Sequence, residues 1–195
     1  MACSSSPSLP PSTYGHHVYI SFRRDQESRN VTDSIDRGLE IRGVHTYRDR
    51  DHLATSQTGI AIPRELREGM QDSTISVVML SKGYLASSWC LEELVKILDC
   101  RERNGMVVLP IFYGVDPSDI RKARGYAAQQ LRSYLAKSIP EEPSWPTLIS
   151  CLATYRPNLI EFLHTNAYVK YLEHCLIRER QKKAIQAQRL ISAPQ

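Results

Sequence analysis

The chain has 195 residues, with 25 basic and 21 acidic side chains that give a formal net charge of +4. All of this excess lies in residues 176–195, where five basic side chains oppose one glutamate, so residues 1–175 are neutral on balance. A neutral domain argues against a nucleic-acid-binding module, which would show a basic face within its fold. The basic tail is interpreted as a solvated helix rather than a binding surface.

The spacing of the cysteines and the distribution of apolar residues indicate the cellular compartment of the protein. The five cysteines form no pair or metal-ligand spacing, which favours reduced thiols in a cytosolic protein. Residues 1–13 are rich in serine and proline and are expected to be disordered. They lack the basic start and apolar run of a secretory signal, and no later stretch resembles a membrane span. We therefore expect a cytoplasmic or nucleocytoplasmic protein with no membrane partner and no bound metal.

Segments typical of strands and helices alternate along the chain. The β-rich runs predict strands at residues 18–22, 44–47, 74–80 and 107–113. The helical patterns predict helices at residues 31–41, 63–70, 89–103 and 126–135. This alternation predicts an α/β fold, a doubly wound parallel sheet with right-handed crossovers.

The segment after the third predicted strand, SKGYLASSWCLEEL at residues 81–94, indicates a site. Leucines at helical spacing define the face of the next helix that meets the sheet. Trp89 and Glu93 are four residues apart and share another face, roughly opposite the leucines. Ser87 or Ser88 is a natural N-cap, which places Glu93 near the first turn, where the helix dipole favours a carboxylate. Since open α/β sheets bind ligands where strands end, this pattern predicts a ligand site beside Glu93.

Each of these residues also has a structural interpretation. An acidic residue early in a helix usually stabilises the helix by interacting with the helix dipole. Glu92 fits such a structural role, and Lys96 lies at i+4, where it can pair with Glu92. Glu93 has Ile97 at i+4 and lacks that ordinary partner. Trp89 could cover a neighbouring loop, which is the commoner role of a tryptophan on the surface side of a helix. From spacing alone, the functional and structural interpretations of Glu93 are evenly matched.

Five blocks of sequence, read in order, carry a family resemblance. They are HVYISFRRDQESR at 17–29, IRGVHTYRDRDHL at 41–53, IAIPRELREGM at 60–70, TISVVMLSKGYLASSWCLEELVKIL at 74–98 and VVLPIFYGVDPSDIRKARG at 107–125. Together they resemble a plant TIR (Toll/interleukin-1 receptor) domain, and look most similar to short plant proteins with a TIR domain and no receptor module. The resemblance implies a flavodoxin-like TIR fold at residues 14–138, followed by a divergent, helical extension at residues 139–195.

The resemblance also implies an activity, namely cleavage of the nicotinamide–ribose bond of NAD⁺ to give ADP-ribose-type signalling nucleotides in plant immunity. Glu93 occupies the position of the family's catalytic glutamate. Phe22 and Arg23 match residues that pack on the ligand and meet its phosphate, although Arg23 could instead form a surface ion pair. Ser87 matches a serine whose hydroxyl contacts the ribose, and Trp89 is expected to form one wall of the pocket.

The resemblance implies no cofactor, because NAD⁺ is the substrate, with NADP⁺ as a second candidate. It implies self-association through TIR–TIR contacts, and contacts with other TIR proteins. The alternative function is a non-catalytic TIR adaptor that acts through such contacts alone. Two features depart from the family, namely a longer loop between Leu53 and Gly59, and Asp33-Ser34 where relatives use a serine-histidine pair in self-association. The sequence does not distinguish which nucleotide product forms.

Overall fold

The structure is a computed structural model that describes residues 17–48, 62–121 and 166–191, with the single residues 125, 129 and 133. Four strands form one sheet, β1 (Val18–Ser21), β2 (Thr46–Arg48), β3 (Ile75–Ser81) and β4 (Val107–Tyr113). Six helices are described, α1 (Gln26–Glu40), α2 (Arg64–Gln71), α3 (Lys82–Leu85), α4 (Ser88–Asn104), α5 (Pro117–Arg121) and α6 (Asn166–Ile191). The predictions for residues 1–13 and for the loop at 53–59 lie outside the described residues, as does most of the predicted helix at 126–135.

The described strands are all parallel and stand in the order β2-β1-β3-β4. The central strand β3 is buried along its whole length, whereas the three residues of β2 are only half-buried. Helices α1 and α6 cover one face of the sheet through a core that includes Ile35, Leu39 and Leu172. Helices α2, α3 and α4 cover the other face. This arrangement confirms the predicted doubly wound α/β fold.

The predicted strands and the first three predicted helices are confirmed, with shifts at their ends. Helix α1 begins at Gln26, five residues before the predicted start, because Asp25 caps it: its Oδ1 accepts a hydrogen bond from the backbone N–H of Ser28 at 2.8 Å. Pro63 is the N-cap of α2 rather than its first helical residue. The short helices α3 and α5 were not predicted, since one or two turns carry too little periodicity to be recognised.

Helix α6 is both docked and solvated. Leu172 and Leu176 are buried in the core beside α1, and Arg42 forms an ion pair with Glu173 at 3.5 Å. Farther along, Ile177 and Ile185 are about half exposed. The prediction of a helical tail is therefore confirmed for residues 166–191, but a purely solvated helix is wrong for its inner turns. None of the described helices is long and apolar enough to cross a membrane.

Candidate active site

The N-terminus of α4 lies where β3 ends, separated from that strand only by the short helix α3. Ser87 is the N-cap, and its hydroxyl accepts a hydrogen bond from the backbone N–H of Cys90 at 3.4 Å. Since α4 begins at Ser88, Glu93 lies in the second helical turn. The prediction that Glu93 lies near the first turn is therefore wrong, and the helix dipole contributes less to its environment than expected.

Glu93 is a buried side chain, with only 5% of its surface exposed. The face opposite the leucines, where Glu93 was predicted to lie, is buried as well, because α4 contacts α2 and α3 as well as strands β1 and β4. Contacts on several sides widen the buried part of the helix beyond the arc that meets the sheet. Glu93 consequently lies in the same buried set as Leu91 and Leu94.

The Tyr19 hydroxyl donates a hydrogen bond of 2.5 Å to Glu93 Oε1. Tyr19 lies in β1, is fully buried, and stacks on the ring of Tyr47 with centroids 5.8 Å apart. Tyr47 lies directly on Gly69 of α2, where an added Cβ would come within 2.6 Å of Tyr47 Cδ1. Sequence reasoning missed Tyr19, although its alternation with the apolar Val18 and Ile20 would have placed it on the α4 side of the sheet.

A second pair of buried hydroxyls lies beside this contact. Tyr84 of α3 and Ser21 of β1 share a hydrogen bond of 2.8 Å. Burial, followed by the negative charge of Glu93, raises the pKa of the Tyr84 hydroxyl well above its usual value. Tyr84 is therefore a neutral neighbour of the Glu93 carboxylate throughout the physiological pH range.

Cys90 lies one helical turn before Glu93 and is buried. Burial, followed by the charge of Glu93, raises the pKa of the Cys90 thiol to about 12, while Ser87 and Arg23 act in the opposite direction. A thiol with such a pKa is ionised in only about one molecule in ten thousand at pH 8. The thiolate is the reactive form, so Cys90 is a structural thiol at neutral pH.

We expect Cys90 to resist iodoacetamide at pH 8 in the folded protein and to react after unfolding in urea. Burial of the sulfur and the raised pKa both oppose alkylation, and unfolding removes both. Peptide mass mapping of native and urea-treated samples measures the modified fraction at this residue. Equal modification of Cys90 in the two samples would contradict this expectation.

The four predicted substrate-binding residues are only partly brought together. Ser87 and Trp89 are half-buried at the start of α4, and Trp89 packs against the core on the α4 side. Arg23 is exposed, and its Cγ lies near α3, 3.5 Å from the position a Cβ would take at Gly83. Phe22, in contrast, packs against the core on the α1 side of the sheet.

The structure thus places Ser87, Trp89 and Glu93 on one helix, with Arg23 beside α3. Phe22 lies apart from this group because successive residues of an extended chain point to opposite faces of the sheet. Within the described residues, no group of three or more His, Cys, Asp or Glu side chains is arranged to hold a metal ion. The candidate site is therefore the Glu93 carboxylate with the Tyr19 hydroxyl that donates to it, on the helix that begins beyond the end of β3.

Comparisons with known proteins agree with this architecture. The family model described as the TIR domain matches residues 15–184. Disease resistance protein RPV1 of Vitis rotundifolia is 34% identical over 183 residues, which are 93% of this chain and 13% of that protein. TMV resistance protein N of Nicotiana glutinosa is 35% identical over 137 residues, which are 70% of this chain and 11% of that protein. The chain thus spans only a small part of these curated relatives.

A solved structure is similar as well. It is that of the TIR domains of the activated Roq1 resistosome directly recognizing the pathogen effector XopQ. It is 33% identical with a TM-score of 0.56, and the match covers 72% of this chain and 82% of that chain. These matches confirm the resemblance drawn from the five sequence blocks, and the family match extends to residue 184, beyond them. The chain belongs to the TIR domain family and has relatives among plant disease resistance proteins.

Proposed function

We propose that this TIR domain cleaves the nicotinamide–ribose bond of NAD⁺, with Glu93 as the catalytic carboxylate. The observation that carries the proposal is the buried Glu93 side chain, which accepts a hydrogen bond from Tyr19 of β1 and lies on the helix that begins beyond the end of β3. In open parallel sheets, ligands bind outside the carboxyl ends of the strands where the strand order reverses, which here is between β1 and β3. The position and the chemistry of Glu93 therefore agree.

A carboxylate suits this reaction because the barrier is the growth of positive charge on the ribose. The bond between the ribose C1′ and the pyridinium nitrogen breaks, and its electron pair leaves with neutral nicotinamide. Glu93 stabilises the oxocarbenium-like ribose more strongly than the ground state, which is the condition for catalysis. Water then adds to C1′ and releases a proton, so that the products are nicotinamide, ADP-ribose and one proton.

The burial of Glu93 favours an enzyme over a non-catalytic adaptor. An ionised carboxylate removed from water destabilises the fold unless hydrogen bonds compensate for its lost hydration. An adaptor that works only through surface contacts gains nothing from a carboxylate that is 95% covered, whereas an electrostatic catalyst gains from a low-dielectric environment. We therefore place the adaptor function second.

The proposal is tested by incubating the purified protein with NAD⁺ and, in parallel, with NADP⁺. Separation by liquid chromatography with mass detection should show nicotinamide together with ADP-ribose, a cyclic isomer or an ADP-ribosylated nucleotide. Heat-denatured protein is the control for chemical decay of the dinucleotides. If the folded protein leaves NAD⁺ intact over a range of concentrations, the enzyme proposal fails and the adaptor function remains.

We also propose that the chain acts in plant immune signalling in the cytoplasm, through contacts between copies of its TIR domain. The similarity to TIR domains of an activated resistosome supports assembly. The ends of parallel strands form a crevice that is open to water, and covering the substrate strengthens the attraction between a carboxylate and a developing cation. A neighbouring copy would supply such a cover.

NAD⁺ cleavage per subunit is accordingly expected to rise with protein concentration. Light scattering on the same samples gives the mass of the species present at each concentration. A rate per subunit that is the same for monomers and for larger species would contradict the proposed dependence on assembly.

A further inference from the structure

We propose that Tyr19 is a positioning residue that holds the Glu93 carboxylate in its reactive orientation, an inference that rests on the proposed cleavage of NAD⁺. The hydroxyl of Tyr19 donates a short hydrogen bond of 2.5 Å to Glu93 Oε1. It joins residues 74 positions apart, so it ties the first strand of the sheet to the helix that carries the carboxylate. This donor restricts rotation of the carboxylate about its last side-chain bond.

The Tyr19 ring is itself held in place. It is fully buried, and its near-parallel stacking on Tyr47, at an angle of 14°, fixes the plane of the ring. Tyr47 in turn is pressed against the backbone of Gly69, where any side chain would displace it. Contacts from β1, β2 and α2 thus hold the Tyr19 ring in place, and the ring in turn fixes the position of the hydroxyl that donates to Glu93.

A positioning role predicts a specific kinetic effect. Tyr19 is fully buried and has no surface that a ligand could contact, so loss of its hydroxyl should leave ground-state binding and KM almost unchanged. It should lower kcat, because the energy of a developing charge depends steeply on the geometry of the group that stabilises it. A merely structural tyrosine would change stability without separating kcat from KM.

The structure offers a matched control for this effect. Tyr84 is also fully buried and also makes a side-chain hydrogen bond, but its partner is Ser21 and not the carboxylate. Tyr84→Phe and Tyr19→Phe therefore each delete one buried tyrosine hydroxyl within the same core cluster. Only Tyr19→Phe removes a donor to Glu93.

The experiment measures kcat and KM for NAD⁺ in the wild type, Tyr19→Phe, Tyr84→Phe and Glu93→Gln, with folding checked by circular dichroism. Tyr19→Phe is expected to lower kcat by about 10-fold with KM within about twofold, while Tyr84→Phe stays within about twofold in both. Wild-type kcat in Tyr19→Phe, or an equal loss in Tyr84→Phe, would overturn the positioning role. Wild-type kcat in Tyr19→Phe with an inactive Glu93→Gln would leave the proposed function standing.

A second variant covers the case in which Tyr19→Phe does not fold. Tyr47→Leu retains the Tyr19 hydroxyl and removes the ring that fixes it, so kcat should fall by about threefold. Wild-type kcat in folded Tyr47→Leu would count against the proposal. A wild-type protein that leaves NAD⁺ intact would refute the proposed function itself, and with it any catalytic role of Tyr19.

Discussion

Replacing Glu93 by glutamine is expected to lower the rate of NAD⁺ cleavage at least about 100-fold while the protein remains folded. Glutamine has nearly the same shape and keeps an oxygen that can accept the hydrogen bond from Tyr19. It removes the negative charge that stabilises the ribose cation. The rate is measured by nicotinamide release, and folding by circular dichroism and thermal unfolding.

Glu92→Gln is the matched control, because it deletes a neighbouring charge on the same helix. Glu92 is half-buried, and the structure shows no ion pair between it and Lys96, so its predicted pairing is wrong. Most of the activity should survive in Glu92→Gln. Comparable losses in the two variants would mean that Glu93 has no special role.

Glu93→Ala is a weaker test than Glu93→Gln. Because Glu93 is 5% exposed, removal of its side chain opens a space in the core and leaves the Tyr19 hydroxyl without this acceptor. Lost activity in that variant would mix an effect on folding with an effect on chemistry.

Arg48→Met is expected to lower the free energy of unfolding by about 2–4 kcal/mol. The carboxylate of Asp36 is buried in α1, and Arg48 Nε lies 2.8 Å from its Oδ2, placed as an ion pair rather than a well-aligned hydrogen bond. The Thr46 hydroxyl donates to the other oxygen. Methionine preserves much of the apolar stem of Arg48 but leaves a buried charge without its cation, and urea denaturation measures the cost.

Two further variants separate this cost from a general effect of lost charge. Arg64→Met breaks an exposed ion pair with Glu68, 2.6 Å between Nε and Oε1, and should change the free energy of unfolding far less than Arg48→Met does, because water screens both charges. Arg48→Met combined with Asp36→Asn should recover part of the lost stability, because the buried carboxylate is removed, and Asp33, the other carboxylate that pairs with Arg48, is exposed to water. If Arg48→Met costs no more than Arg64→Met, the pair with Asp36 contributes little.

Most of the sheet was predictable from sequence, because β1, β3 and β4 are short apolar runs separated by segments with the periodicity of helices. The start of α1 was harder to predict, since residues Gln26–Asn30 are polar and the first turn of the helix depends on the cap from Asp25. Helix α3 follows from a similar local contact, the hydrogen bond from the backbone N–H of Tyr84 to the Ser81 hydroxyl at 3.1 Å. Such caps determine where helices begin, and a pattern of hydrophobic residues does not reveal them.

The position of the candidate site along the chain was predicted, but the burial of Glu93 was not. Ser87 as an N-cap was confirmed, and Glu93 lies on the predicted helix. Its burial depends on α2 and α3, which cover α4 from the side, and no local pattern reports such packing. The Tyr19 hydrogen bond joins residues far apart in sequence, so one sequence read alone could not pair them. The position of Phe22, in contrast, follows from a local pattern. Strand alternation puts Phe22 on the same face of the sheet as Val18 and Ile20, which is the face away from α4.

β2 supports the site from the edge of the described sheet. Its residues Thr46–Arg48 are half-buried, whereas the neighbouring β1 is fully buried. Local opening costs least where little apolar surface is covered, so β2 is expected to open before β1, β3 or β4. Any such opening would take Tyr47 away from Tyr19, whose hydroxyl donates to Glu93. The precision of the carboxylate in the core therefore depends on the pairing of a strand at the periphery.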